Sequence, residues 1–318
     1  MYVKFVKDNV LEYEKILNEC GVGEVDSTTA AANLSKLEEF YTSDEMINIY
    51  NYCLLNIKDY DLLTQIVKLT DMFRNAETFR ILLDIIKQKP VENPSDQYIN
   101  FRSMCIKAAV NYKDTALVFP LLDCMNNKSE HYRIRLACAD ALGRIGDKYA
   151  VKPLIDVVED EEEKSVYLKE SATFALGLLG DSSAIDPLIS ILESKQGILD
   201  KFTFLKEKIV EALGKLNINN KKVIKALKGS LMDSSPMVRI NAIEAIMNSD
   251  DEDSVELIKP CLQDEDDEVK RNALIALYNL VGRDILDEVT ELPIYNDFLK
   301  NEAAQMIDEY ETEDADEG

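Results

Sequence analysis

The chain has 318 residues, 46% of them hydrophobic, and a net charge of −24 at pH 7. That is enough apolar content for a large core, and the acidity works against nonspecific binding to phosphate backbones or anionic membranes. No run of about 18 apolar residues suggests a membrane span, and MYVKFVKDNV lacks the unbroken apolar stretch of a signal peptide.

The surplus of carboxylates instead suits a protein partner of basic character. Six cysteines occur, at positions 20, 53, 105, 124, 138 and 261, none in a C-x-x-C pair and most within apolar helical patterns. They read as buried thiols in a reducing cytosol rather than as disulfides or a zinc site.

Residues 1–100 read as diverged helical repeats with an N-terminal cap. A capping helix is expected over Lys4 to Glu19, followed by a loop from Gly21 through Thr29. Asp44 to Ile57 reads as one helix, with Met46, Ile49, Tyr50, Cys53 and Leu54 on its apolar side. Tyr60 to Phe73 and Ala76 to Lys87 form a helical pair, and Lys89 to Ser95 is a loop holding Pro90 and Pro94.

From residue 101 to 283 the chain repeats itself. With Gly143 as anchor, the equivalent positions are Val110, Gly143, Gly177, Gly214, Met247 and Tyr278, spaced by 33, 34, 37, 33 and 31 residues. Two positions earlier stands alanine every time: Ala108, Ala141, Ala175, Ala212, Ala245 and Ala276. Eight earlier stands a cation: Arg102, Arg135, Lys169, Lys206, Arg239 and Lys270. The residue before each cation is apolar: Phe101, Ile134, Leu168, Leu205, Val238 and Val269. Apolar positions at −9, −5, −2 and −1 make one helical face. The repeated alanine lets two helix axes approach, since bulk there would overpack the contact. The glycine after Ala-Leu predicts the helix end, and Pro120, Pro153 and Pro187 predict the first turn of a second helix. Each repeat is then helix, turn, helix, and one such hairpin cannot bury its apolar face without a neighbour.

This pattern of apolar-basic, Ala-Leu-Gly, Asp and Pro-Leu-Ile resembles HEAT repeats, in particular the short HEAT-like or PBS-lyase-like kind, best at residues 135–147 and 169–181. The resemblance implies an all-α fold: a right-handed α-α superhelix, a HEAT-like solenoid of stacked helical hairpins. It implies little about chemistry, because such repeats serve many functions. Deoxyhypusine hydroxylases use similar repeats with paired His-Glu motifs for iron, but this chain has a single histidine, His131. A non-haem iron site needs two histidines and a carboxylate, so His131 reads as a surface or helix-start residue. Some DNA glycosylases also use such repeats, with a basic concave face that the acidity here argues against. No phosphate loop or nucleophile elbow appears, and the acidic clusters 250–253 and 264–268 lack EF-hand spacing.

The cation ladder has two readings. It could hold an anionic ligand or acidic segment, or each cation could pair internally, for example Arg239 with Asp233 and Lys270 with Asp264; the carboxylate surplus favours pairing. Two long linkers break the repeat spacing, at 161–167 and 194–204, and insertions of this kind lie on one edge and form binding surfaces. Phe202 and Phe204 in the second either pack inward at the start of the next helix, which helical spacing favours, or line that edge. Residues 284–307 read as C-terminal capping helices, with one helix over Tyr295 to Asp308, and 308–318 as an acidic, disordered and solvated tail. The functional expectation is a non-catalytic scaffold or adaptor, without a cofactor, that docks a protein partner in the assembly or regulation of a cytosolic complex. Its candidate contacts are Tyr132, Tyr167, Phe202, Phe204 and any ladder cation not internally paired. The alternative is a lyase or cofactor-handling enzyme of the PBS-lyase-like repeat type.

Overall fold

A computed structural model describes residues 10–193, 203–216, 220–249 and 252–316 of the chain. The described residues form 18 α-helices and no strand. The chain divides into two compact units, Met1–Pro153 and Leu154–Gly318. The helices α1 (Val10–Glu19), α2 (Ser27–Lys36), α3 (Ser43–Asn56), α4 (Tyr60–Thr70), α5 (Ala76–Ile86), α6 (Asp96–Val110), α7 (Val118–Asn126) and α8 (Tyr132–Ile145) lie in the first. Helix α9 (Val151–Glu159) carries the boundary. The second holds α10 (Val166–Leu179), α11 (Ile185–Glu193), α12 (Thr203–Leu216), α13 (Lys221–Ser230), α14 (Pro236–Met247), α15 (Ser254–Ile258), α16 (Asp267–Val281), α17 (Asp284–Glu291) and α18 (Asp297–Asp316).

Within each unit the helices alternate between two layers. In the first, α2, α4, α6 and α8 pack in sequence, with α3, α5 and α7 behind them. In the second, α10, α12, α14 and α16 pack in sequence, with α11 beside α13 behind, and α18 closes the end against α16. The six alanines of the repeat are all buried, as are Phe101, Ile134, Leu168, Leu205, Val238 and Val269. The apolar stripe read from the sequence is therefore the seam between hairpins.

Local chemistry sets the helix ends. Asp114, Asp147 and Asp181 each accept a backbone N–H two residues on, at 2.8, 2.9 and 3.0 Å, opening a short 3₁₀ turn before α7, α9 and α11. Pro120, Pro153 and Pro187 then stand third in those helices, where no intrahelical N–H bond is required. At α3, Thr42 and Glu45 form a reciprocal capping box: the Thr42 N–H donates to Glu45 Oε2 at 2.8 Å and the Glu45 N–H to Thr42 Oγ1 at 3.4 Å. Thr42→Ala should cost about 1 kcal/mol, seen as a lower urea midpoint with an unchanged slope.

Four expectations are corrected. The loop predicted from Gly21 through Thr29 ends at Asp26, whose side chain caps α2; its buried face begins with the small Ala30 and Ala31 and has one large apolar residue, Leu34, so the helix start lacked a bulky apolar stripe. The repeated glycine does not end the first helix. Gly143 and Gly177 are interior, and α8 and α10 end three residues later at Gly146 and Gly180, whose φ values of 79° and 65° suit glycine. Phe204 does not pack inward; it is 72% exposed. Finally α18 continues to Asp316, through a stretch whose charge alone predicts a disordered tail; its Glu, Ala and Met residues are strong helix formers.

Candidate functional site

The cation ladder lies inside the fold. Arg102, in α6, is 1% exposed; its Nη1 donates to Glu130 Oε2 at 2.6 Å, and its Nη2 to the carbonyls of Ile86 at 3.0 Å and Gln88 at 2.6 Å. Arg135 Nε donates to Met125 O at 2.7 Å, and Lys169 Nζ to Val158 O at 3.1 Å. Ile86, Met125 and Val158 sit in the last turns of α5, α7 and α9, where carbonyls have no helical N–H partner. A buried cation there satisfies those carbonyls and matches the negative end of the helix dipole. Burial lowers the Lys169 pKa, against the pull of Asp160 and its acidic neighbours.

Further on, the same position bonds forward to the next hairpin. Lys206 pairs with Asp233 at 2.7 Å, and Arg239 with Asp264 at 2.6 Å. The pairing is thus shifted by one repeat from the sequence expectation. Asp233 gives its carboxylate to Lys206 and only its carbonyl to Arg239, at 2.8 Å. Lys270 pairs with Asp267 in its own first turn, not with Asp264. Five of these cations bond to a neighbouring helix end or to the loop beside it, and the Lys270 ion pair stays within α16. His131 caps α8, accepting the Arg133 N–H on Nδ1 at 3.3 Å.

What the second unit does present is an apolar row. Tyr167, Phe204 and Met237 are each the second residue of α10, α12 and α14, ten positions before the repeat anchor, and are 64%, 72% and 48% exposed. Because these helices pack side by side, equal register places the three on one surface. Met237 was missed in the sequence, although its register was the signal. Phe202 lies outside the described residues. Tyr132 is the first residue of α8, 41% exposed, with its ring 4.8 Å from that of His131, and belongs to the first unit. The first unit's own equivalents are polar: Asn100 and Arg133, joined at 2.7 Å.

Acidic groups flank the apolar row. Glu170 and Glu207 follow Tyr167 and Phe204 by three residues on the same helical faces, and both are half-buried. Loss of water raises both carboxyl pKa values. One turn further, Lys208 and Lys215 stand 5.8 and 5.0 Å from the Phe174 ring centroid, and Glu211 takes both ammonium groups. Between α12 and α14 a cleft of about 360 Å³ opens beside Gly214 and Ala245, edged by Glu211, Lys215, Asn241 and Glu244. Among the described residues no group of three or more His, Cys, Asp or Glu stands together as a metal site, and no helix is long and apolar enough to cross a membrane.

The family description "HEAT repeats" matches residues 88–167 and 196–278, and "PBS lyase HEAT-like repeat" matches 168–194. No curated protein matches the chain. Among solved structures, YibA of Escherichia coli is similar at 13% identity and a TM-score of 0.51, over 87% of this chain and 95% of that one. A chain from the complex of CpcE and CpcF of phycocyanin lyase from Nostoc sp. PCC7120 is similar at 21% identity and a TM-score of 0.47, over 73% and 87%. Human deoxyhypusine hydroxylase is similar at 14% identity and a TM-score of 0.36, over 87% and 99%. At 13% identity the likeness to YibA speaks to fold alone.

Proposed function

We propose that this chain, which belongs to the HEAT-repeat family, is a non-catalytic adaptor that docks a protein partner on the α10–α12–α14 face of its second unit. The observation that carries this reading is the exposed row of Tyr167, Phe204 and Met237 in matched register. Exposed apolar side chains repeated on adjacent helices have no folding role, and their burial against a partner is favourable. Glu170 and Glu207 along the row favour a partner helix with basic residues beside its apolar stripe. A non-catalytic role is supported by the mutual pairing of the polar groups near the cleft, where Glu211 holds Lys208 and Lys215. Six buried free thiols suit a reducing compartment such as the cytosol.

The test is native mass spectrometry of the complex isolated from its own cells, with the wild type beside Phe204→Asp and Met237→Asp. Both side chains are exposed, so the variants should keep the wild-type Tm while partner affinity falls about tenfold or more. Variants that keep the partner at wild-type stoichiometry and affinity would overturn the placement. A partner lost only together with the fold would count against it equally.

A further inference from the structure

Glu211 and Glu244 hold the same place in successive repeats, three residues before the anchors Gly214 and Met247. Their neighbours differ. Glu211 has one lysine three residues before it and another four after, Lys208 and Lys215, and its carboxylate takes both ammonium groups. Both lysines lean towards α10. Their ammonium groups lie over the Phe174 ring, and the Lys215 stem passes 3.6 Å from where a Cβ on Gly177 would stand. The groove between α10 and α12 is thus occupied by the chain's own cations. At Glu244 the corresponding positions hold Asn241 and Asn248. Among the described residues no cation pairs with the Glu244 carboxylate, and the α12–α14 cleft of about 360 Å³ stays open beside it, floored by the close approach of Gly214 and Ala245. Asn241 is already oriented. Its Nδ2 donates to the Glu207 carbonyl at 3.2 Å, and since a carbonyl can only accept, Oδ1 is left as the acceptor that Asn241 offers the cleft. A carboxylate and an amide oxygen one helical turn apart suit the planar fork of a guanidinium, which donates to both, better than the point charge of an ammonium.

We propose that the α12–α14 cleft is the pocket for an arginine side chain of the docked partner, with Glu244 and Asn241 as its acceptors. This rests on the docking face proposed above and adds a fixed distance to it. Glu211 and Glu244 lie seven residues, about 10 Å, beyond Phe204 and Met237 on their helices. A partner helix that sets an apolar residue on Phe204 and Met237 therefore carries the arginine two turns further on. Glu244 supplies the charge and Asn241 the direction. The small Gly214 and Ala245 supply the depth, because bulk at either position would fill the cleft from below. The repeat before shows the same carboxylate satisfied from within the chain, so what Glu244 lacks is the cation that Lys208 and Lys215 bring to Glu211.

The first arm of the test titrates methylguanidinium into the nitrogen-15-labelled full-length chain at constant ionic strength, with methylammonium as control. We expect saturable shifts of the Asn241 and Asn248 side-chain amide signals. Binding should weaken about fivefold in Glu244→Gln, and about twofold in Asn248→Lys, which gives Glu244 the internal cation that Lys215 gives Glu211. Phe204→Asp, which strikes the apolar row alone, should leave it unchanged. Glu244 and Asn248 are exposed, so both variants should keep the wild-type Tm. Shifts that do not saturate, that are equal in Glu244→Gln, or that methylammonium matches would overturn the arginine pocket. The second arm is the complex isolated from the protein's own cells, in which Glu244→Gln should weaken partner binding about tenfold. Unchanged binding in that variant, with loss in Phe204→Asp, overturns the pocket and spares the docking face. Loss in Glu244→Gln with none in Phe204→Asp upholds the pocket and overturns the row.

Discussion

Glu130→Gln should destabilise the protein by about 3–5 kcal/mol, the largest effect expected of any single polar substitution in the chain. Arg102 and Glu130 are 1% and 3% exposed at their side chains and 2.6 Å apart, so neither charge reaches bulk water. Removing the carboxylate charge leaves a guanidinium that two carbonyls, of Ile86 and Gln88, solvate only partly. Arg102→Met should be as severe for the complementary reason. It strands the Glu130 carboxylate, which keeps only the His131 N–H at 2.9 Å among the bonds described here, and it orphans both carbonyls. The double variant Arg102→Met with Glu130→Met removes both charges at once, so its loss should fall short of the sum of the single losses by about 2 kcal/mol or more. Urea unfolding at neutral pH measures all four states of the cycle. Lys222→Ala is the contrast, because Lys222 and Asp186 are 65% and 69% exposed and their contact is worth about 0–1 kcal/mol. A Glu130→Gln variant within 1 kcal/mol of wild type would mean that the pair is not what joins α6 to the loop before α8.

The hairpin repeat was legible because its signal is local and periodic. An apolar residue, a cation and an alanine at fixed offsets mark a helix with a narrow seam, and all six alanines lie in that seam. What escaped depends on neighbours. Gly177 read as a helix end, since Ala-Leu-Gly is followed by a second glycine three residues on, and a sequence does not say which of the two takes positive φ. Gly180 does. Gly177 is small for the reason that the alanine is small, which only the adjacent helix reveals. The start of helix α2 escaped because its first buried residues are the alanines Ala30 and Ala31, and the one large apolar residue of its buried face, Leu34, comes later. For the site, the ladder cations stood out by their regularity, yet three of them serve helix-end carbonyls and three pair with aspartates. The apolar row was half visible: Tyr167 and Phe204 drew notice as aromatics beside irregular linkers, while Met237 shares their register without being aromatic. Register, more than residue type, carries the docking surface.

Glycine at the seam gives the second large effect. A Cβ on Gly214 would stand 2.7 Å from Ala245 Cβ, and one on Gly177 would stand 3.2 Å from Ala212 Cα and 3.3 Å from Ala212 Cβ. Both contacts join an anchor position to the alanine of the next first helix, so the two sites are chemically alike and differ only in closeness. Replacing a helical glycine by alanine gains about 1 kcal/mol of propensity, while forcing an extra carbon into a packed contact costs about 1–3 kcal/mol. At Gly177 the neighbour has only a few tenths of an ångström to yield, and the two effects should nearly cancel. At Gly214 the clash is beyond what van der Waals contact allows, the helices α12 and α14 must separate, and Gly214→Ala should lose about 1–2 kcal/mol net. Leucine at either position should cost about 3 kcal/mol or more, since a whole side chain has to find room between two helix axes. The diagnostic variant is Gly214→Ala combined with Ala245→Gly. It returns the missing space from the other side of the contact and should recover the clash energy while giving up about 1 kcal/mol of propensity in α14. Equal losses for Gly177→Ala and Gly214→Ala, with no coupling to Ala245, would show that helix approach is not what keeps these positions small.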